Sequence, residues 1–276
     1  MSMKKSRLWC LIIALFLFVV LTVPEPGFSW SPKAHTLIAQ KAGMQNPAYS
    51  FFPDLFKEEN KALLGPLHYH NAAPQTTVTP AYIDRYPIRL KDYVPAGRMD
   101  VKPITIRVPH PAGVLYWKIV ELYEAMKGKT GWLYDYYLFS IAHYIGDLSQ
   151  PLHNFPHGNK RAGDGRIYQA AGNWAKEHHK AFDEILESLV PLDQEMDTLY
   201  DSWIHEPCVK SAGDLKREIA RIANASIALA NKCYAEKRLI TVEEALRHTA
   251  LSVSLLKAVI ADTQKGPPDP SGPSSE

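Results

Sequence analysis

The sequence predicts an all-α fold: a single compact helical bundle carrying a long proline-rich loop insertion. Three observations carry that expectation. From Ala112 onward, "AGVLYWKIVELYEAMKG" and "WLYDYYLFSIAHYIGDLSQ" place apolar residues at i, i+3, i+4 and i+7, the stripe that a helix buries. No convincing series of alternating apolar and polar residues competes with them. Between residues 72 and 112, seven prolines interrupt any helical period. That stretch reads as a long irregular excursion with short extended pieces, and long loops of this kind are often functional.

The elements follow in chain order. Residues 1–29 read as a signal peptide. Lys4, Lys5 and Arg7 form a basic start, Leu8 to Val23 an apolar run, and Gly27 and Ser29 are small residues at −3 and −1 relative to Trp30. This pattern places cleavage between Ser29 and Trp30 and sends the product out of the cytoplasm, secreted or periplasmic. An uncleaved anchor is the competing reading, but the run is short against the roughly 20 residues of a spanning helix.

Residues 30–264 then form one domain with ample core. The closing "GPPDPSGPSSE" makes 265–276 a disordered tail. Ser31 and Pro32 suit a helix cap and first turn ahead of "KAHTLIAQKAG", which Gly43 ends. Further helices are expected over Gly172–Leu189, Asp214–Ala235 and Thr241–Thr263. The formal net charge of +2 points to neither nucleic acid nor membrane. After cleavage Cys208 and Cys233 remain, either paired in an oxidising compartment or present as thiols.

The informative run is "HYIGDLSQPLHN". His143 and Asp147 are four apart and share one helix face, and His153 follows past Pro151. "HHKAFD" repeats the spacing with His179 and Asp183; "FFPDLF" offers Asp54, "GPLHYHN" offers His68 and His70, and His35 lies on the first helix. A lone His-x3-Asp pair is ordinarily a surface ion pair. Two such pairs with three further histidines form a set of imidazoles and carboxylates, the ligands that suit zinc, on helices able to project them into a bundle core.

On these motifs the chain resembles the superfamily of zinc-dependent phospholipases C and single-strand-specific nucleases. "HYIGDLSQPLHN" is similar to its histidine–GD–QP–histidine signature, and "WSPKAH" is similar to its mature N-terminus. The resemblance runs in order from Trp30 to Asp183, and it implies three zinc ions. Asp54, His68, His143 and Asp147 would hold one; Asp147 would bridge to a second, shared with His35 and the α-amine and carbonyl of Trp30; His153, His179 and Asp183 would hold the third. Only cleavage creates that amine, whose ordinary pKa near 8 lets a metal deprotonate it. His70 is the alternative to His68, although the step from Asp54 favours His68. His157 and His178 are read as supporting or surface groups, and His110, His205 and His248 are assigned nothing. Asp183 stands where the phospholipases usually carry glutamate and the nucleases aspartate.

The implied reaction is phosphodiester hydrolysis by a metal-bridging hydroxide, with Asp54 both ligating and accepting a proton from the water. The substrate reading leans to a phospholipid, with transient contact at a membrane surface. It rests on the "FPDL" setting of Asp54, the absence there of the nucleases' tryptophan–aspartate pair, and the nearby Phe51, Phe52, Phe56 and Tyr69. Single-stranded nucleic acid is the alternative. It is favoured by the short Trp30–His35 step, the long interval from His153 to His179, and "HGNK" at 157–160, which is similar to a glycine–asparagine element of the nucleases. A non-catalytic metal-binding envelope protein is a third, minor reading.

Overall fold

Ten helices follow one another along the chain in the computed structural model, which describes residues 30–93 and 104–264. The signal-peptide reading of 1–29 and the tail reading of 265–276 fall outside the described residues. Helix α1 spans Pro32–Lys41, α2 Phe52–Glu59, α3 Lys61–Leu64 and α4 Pro80–Ile83. The long helices are α5 (Leu115–Met126), α6 (Gly131–Ser149), α7 (Gln169–Glu184), α9 (Ala212–Glu236) and α10 (Val242–Thr263), with α8 (Gln194–Ser202) between α7 and α9. The fold is all-α, as the periodicity implies.

Local chemistry sets the ends. Ser31 Oγ accepts from Ala34 N and Pro32 opens α1; Gly43, at φ +87°, lies just past its end. Thr241 and Glu244 close a reciprocal capping box at the start of α10. The described residues of the proline-rich excursion include short extended pieces, as the sequence suggests. The excursion contains α4 and an antiparallel two-stranded ribbon pairing β1 (Arg89–Tyr93) with β2 (Ile104–Val108). "ITIRV" supplies β-branched residues to β2. Two short strands separated by a proline-bearing segment give too little alternation to register as a sheet from sequence.

Helix α6 lies at the centre, against α1, α5, α9 and α10. Its apolar residues Leu138, Ile141, Ile145 and Leu148 are buried, and the long helices around it close the core. Hydroxyls from the scaffold hold the carbonyls of its last turns. Ser252 Oγ donates to Ile145 O at 2.6 Å, Ser226 Oγ donates to Leu148 O at 3.1 Å, and Asn154 Nδ2 donates to the carbonyls of Leu148 and Gln150. Exposed ends of a helix need such partners, and here they fix the segment that carries His143 and Asp147. Cys208 is exposed and Cys233 buried, both as free thiols, so the pairing option is not realised.

Candidate metal centre

The helical period brings His143 and Asp147 to one face of α6, and both are fully buried. Asp54 reaches them from the first turn of α2, and His68 from the turn after α3. His68 Nδ1 lies 3.0 Å from Asp147 Oδ2 and 3.0 Å from His143 Nε2, and His143 Nε2 lies 3.2 Å from Asp147 Oδ2. Asp54 Oδ1 completes the set at 3.5 Å from His68 Nδ1 and 3.7 Å from His143 Nε2. Four ligands of a tetrahedral zinc site, at bonds of about 2.0–2.2 Å, stand about 3.3–3.6 Å from one another. The five separations here straddle that range.

The tautomers agree with the distances. His143 Nδ1 donates to Ser50 O at 2.9 Å, which leaves Nε2 as the nitrogen turned toward the carboxylates; burial opposes its protonation, but Asp147 and Asp54 outweigh burial and raise the pKa of this ring. Two imidazole nitrogens aimed at each other at 3.0 Å need a proton or a cation between them. Burial lowers the pKa of His68 to about 4 and holds His153 well below its usual range, so both rings are neutral ligands near pH 7. Burial alone would raise Asp54 and Asp147. The nearby histidines, joined at Asp54 by Lys57, outweigh it, holding Asp54 at about 2 and Asp147 well below the carboxylate range. His153 Nδ1 is buried without a hydrogen-bond partner, which is costly in a dry interior unless a cation takes its lone pair.

Asp147 divides its two oxygens between two sets. Oδ2 faces His68 and His143, whereas Oδ1 lies 3.5 Å from His35 Nε2 and 3.7 Å from His153 Nδ1. The His35 ring stacks on His143 with centroids 4.1 Å apart. Gly146 makes room for it: a Cβ there would lie 2.6 Å from His35 Nδ1. The glycine of "IGD" is thus a packing requirement of the histidine beside it.

His179 Nδ1 and Asp183 Oδ2 are 2.7 Å apart on α7, and the His153 ring stacks on His179 at 5.1 Å. Gln150 ties this group together by donating from Nε2 to Asp183 Oδ1 at 2.7 Å and accepting His153 N–H at its Oε1. Three sets emerge whose ligand atoms lie within 4.8 Å of one another: His35, His143 and Asp147; Asp54, His68 and His143; His153, His179 and Asp183. The buried clusters are competent to hold metal ions, a property compatible with a metal-dependent hydrolase.

Trp30 is fully buried at the edge of these groups. Its indole Nε1 donates to Ser149 Oγ at 3.1 Å, and the next backbone N–H, of Ser31, donates to Asp183 O. Residue 30 is thereby pinned beside the end of α6 and the acidic end of α7.

The other histidines lie elsewhere. His70 uses Nδ1 on Gly113 O and Nε2 on Tyr82 Oη, so the choice between His68 and His70 goes to His68. His178 stacks on Trp174 with Nδ1 at Trp174 O. His157 meets the His179 ring edge-on and lines the cleft over the clusters. Sequence reasoning missed Lys57, one turn beyond Asp54 and ion-paired with its Oδ1, as well as the tethering roles of Gln150, Asn154 and Ser50. The helical i, i+3 spacing was the available signal for Lys57. Ser50 carried none, because its contribution is a backbone carbonyl.

A cleft of about 530 Å³ opens over His68, His153 and His179. Its wall carries Lys57, Lys61, Lys160, Lys176 and Lys180, and Asp54, Glu58 and Glu184 pair with Lys57, Lys61 and Lys180. No protein-family model and no curated protein matches the chain.

Proposed function

We propose that the chain is an extracytoplasmic, zinc-dependent phosphodiester hydrolase of the phospholipase C type, related to the superfamily that its motifs resemble. The observation that carries the proposal is the conjunction of three adjoining His/Asp sets with a lysine-walled cleft above them. Metal ligands alone fit many proteins. Ligands opening into a cationic cleft fit a reaction on an anionic phosphorus centre.

Bound divalent ions would neutralise charge on a phosphoryl oxygen and make water acidic enough to attack phosphorus. The chain's own groups supply the rest. Asp54, His68, His143 and Asp147 would hold one ion, and His35, with residue 30, would complete a second set on the other side of Asp147. His153, His179 and Asp183 would hold the third, while Gln150 Nε2 donates to Asp183 Oδ1 and fixes that side chain. Lys57 Nζ, held against Asp54, presents a fixed cation to the non-bridging oxygens of the substrate. Asp54, ionised at neutral pH, accepts a hydrogen bond from the attacking water and orients it.

The phospholipid reading is supported by the apolar groove on the far side of α2, lined by Phe52, Phe56, Leu64, Tyr136 and Phe139. One observation favours the nuclease reading. Tyr69 lies in the cationic cleft with Lys160 Nζ 4.1 Å over its ring, a surface on which a base stacks. A purely structural metal site has less support, because His68, His153 and His179 line the open cleft.

Purified mature protein, assayed side by side on phosphatidylcholine and on single-stranded nucleic acid with and without chelator, tests the proposal. Chelator-sensitive release of the phosphorylated head group is expected. Cleavage of nucleic acid alone would transfer the site to the second reading, and no turnover of either by zinc-loaded protein would remove the activity.

A further inference from the structure

Residues 68–71 run between two of the His/Asp sets. His68 belongs to one, and the N–H of His70 donates to the carbonyl of His153, a member of another, at 2.8 Å. The same segment is joined to the end of the proline-rich excursion. His70 pairs with Gly113 in an isolated antiparallel bridge, and Asn71 N–H donates to Ala112 O at 2.6 Å. Gly113 lies at φ +93°, and a Cβ there would collide with Tyr69 O, so glycine is what permits the approach.

The His70 side chain is fully buried and spends both ring nitrogens on the excursion. Nδ1 donates to Gly113 O at 3.0 Å, and Nε2 accepts from Tyr82 Oη, on α4, at 2.9 Å. A carbonyl only accepts, which fixes the proton on Nδ1, and burial lowers the pKa of the ring to about 4, which leaves Nε2 its lone pair. The ring packs against Tyr86 and Tyr116, both with centroids 4.7 Å away. Tyr116 Oη donates to Asn154 Oδ1, and Asn154 follows His153 in the chain. The excursion is itself anchored to α9. Asn224 Oδ1 accepts from Val78 N–H at 2.8 Å, Asn224 Nδ2 donates to Val78 O at 2.9 Å, and Asn231 Nδ2 donates to Pro74 O at 2.7 Å. The part of the excursion around α4 is therefore a fixed support behind the candidate ligands.

We infer that His70 is a positioning residue: its side chain, held between Gly113 and Tyr82, sets the placement of His68 relative to His153 and couples docking of the excursion to ion binding by their two sets. The inference rests on the reading of those sets as ion sites. Coupling is reciprocal, so bound ions strengthen the docking of the excursion by the factor that docking adds to ion affinity.

Withdrawal of zinc from the mature protein by graded chelator reads the affinity. His70→Phe keeps a ring and loses both hydrogen bonds, whereas Tyr82→Phe loses one hydroxyl. Zinc affinity is expected to fall about tenfold in the first, the low end for groups behind a metal ligand, and about threefold in the second. The losses should not add. Without Nε2 the Tyr82 hydroxyl has nothing to act through, so the double variant should bind zinc as His70→Phe does. Tyr134→Phe, which loses a bond to Thr263 Oγ1 far from the sets, distinguishes positioning from plain stability. It should lower the melting temperature and leave zinc affinity within about twofold.

Hydrogen exchange reads the reverse direction. Zinc should slow amide exchange of residues 79–86 in wild type, and slow it less in Tyr82→Phe, a variant that keeps every ring in place. Unchanged zinc affinity in both single variants overturns the inference and leaves the ion sites standing. Additive losses in the double variant, or an equal loss in Tyr134→Phe, overturn it as well. Wild-type protein that binds no zinc overturns the ion sites and this inference together.

Discussion

The two halves of the molecule treat their polar groups in opposite ways. Around α9 and α10 every charge has an ordinary answer. Arg238 holds Glu244 with two hydrogen bonds of 2.7 Å, Glu244 also closes the capping box with Thr241, and the α9–α10 turn is made by Lys237 in the left-handed conformation. Those groups lie at the surface, and the helices bury alanine, leucine and valine. Around α1, α2, α6 and α7 the molecule gathers five histidines and three aspartates, all buried except the partly exposed His179, with imidazole nitrogens converging on carboxylates. A bundle of this size needs no such set for stability, and burying charge is expensive without compensation. The difference teaches where function lies. The α9–α10 side is complete without a ligand, whereas the histidine side is competent to hold metal ions.

Asp147→Asn should break the contrast most. It converts the one carboxylate shared by two sets into an amide, whose nitrogen is a donor where ligands are required. Loss of at least one metal ion per chain and a fall in turnover of more than about 100-fold are expected, since even groups behind a metal ligand are worth roughly 10–100-fold. His178→Ala, outside the sets against Trp174, should stay within about twofold; similar behaviour of the two variants would refute the assignment of residues.

A chain beginning with an added Met before Trp30 probes the edge of the site. Ser31 N–H on Asp183 O and the buried indole fix residue 30, so the extension moves the α-amine away from the position the proposal requires. Metal affinity or activity should fall at least tenfold, and N-terminal sequencing of active secreted protein should read "WSPKAH". Full activity with the extra residue attached would remove Trp30 from the site.

Gly146→Ala sharpens the comparison in the fold itself. The new methyl meets His35 2.6 Å away. Overpacking of this kind costs about 1–3 kcal/mol, and the displaced ring should release the metal it shares with Asp147. Thermal melts with and without chelator check both effects: the variant's stabilisation by zinc should be smaller than that of wild type.

Glu244→Gln should have the smallest effect, confined to the α9–α10 side. The Arg238 hydrogen bonds, above all, lower the pKa of Glu244 from 4.5 to about 2. Its stabilisation is therefore present above about pH 4.5 and is lost as the pH falls toward 2. A cap and surface pair of this type is worth about 1 kcal/mol, a shift of roughly 2–4 °C in a domain of this size. The gap in melting temperature between wild type and variant should close between those pH values, with metal content unchanged throughout.

Much of this contrast was legible in the residues. The period of "WLYDYYLFSIAHYIGDLSQ" gives α6, and the His143–Asp147 step gives the face it presents. Long helices read well because their stripes repeat. Helix α2 did not, since eight residues with two phenylalanines, a proline and a run of charges leave no repeating stripe, and Lys57 was lost with it. The β1–β2 ribbon was legible only as short extended pieces, because two five-residue strands show too little alternation to reveal their pairing. The preference for His68 over His70 followed from spacing, but only the hydrogen bonds of His70 to Gly113 and Tyr82 decide it. Charge was the least legible property: a net of +2 says nothing of five lysines gathered on one cleft.

The most direct test is elemental analysis of mature protein purified without chelator. The account predicts close to three zinc ions per chain, removed by chelator together with activity and restored with it. One ion or none in active, never-chelated protein would contradict it.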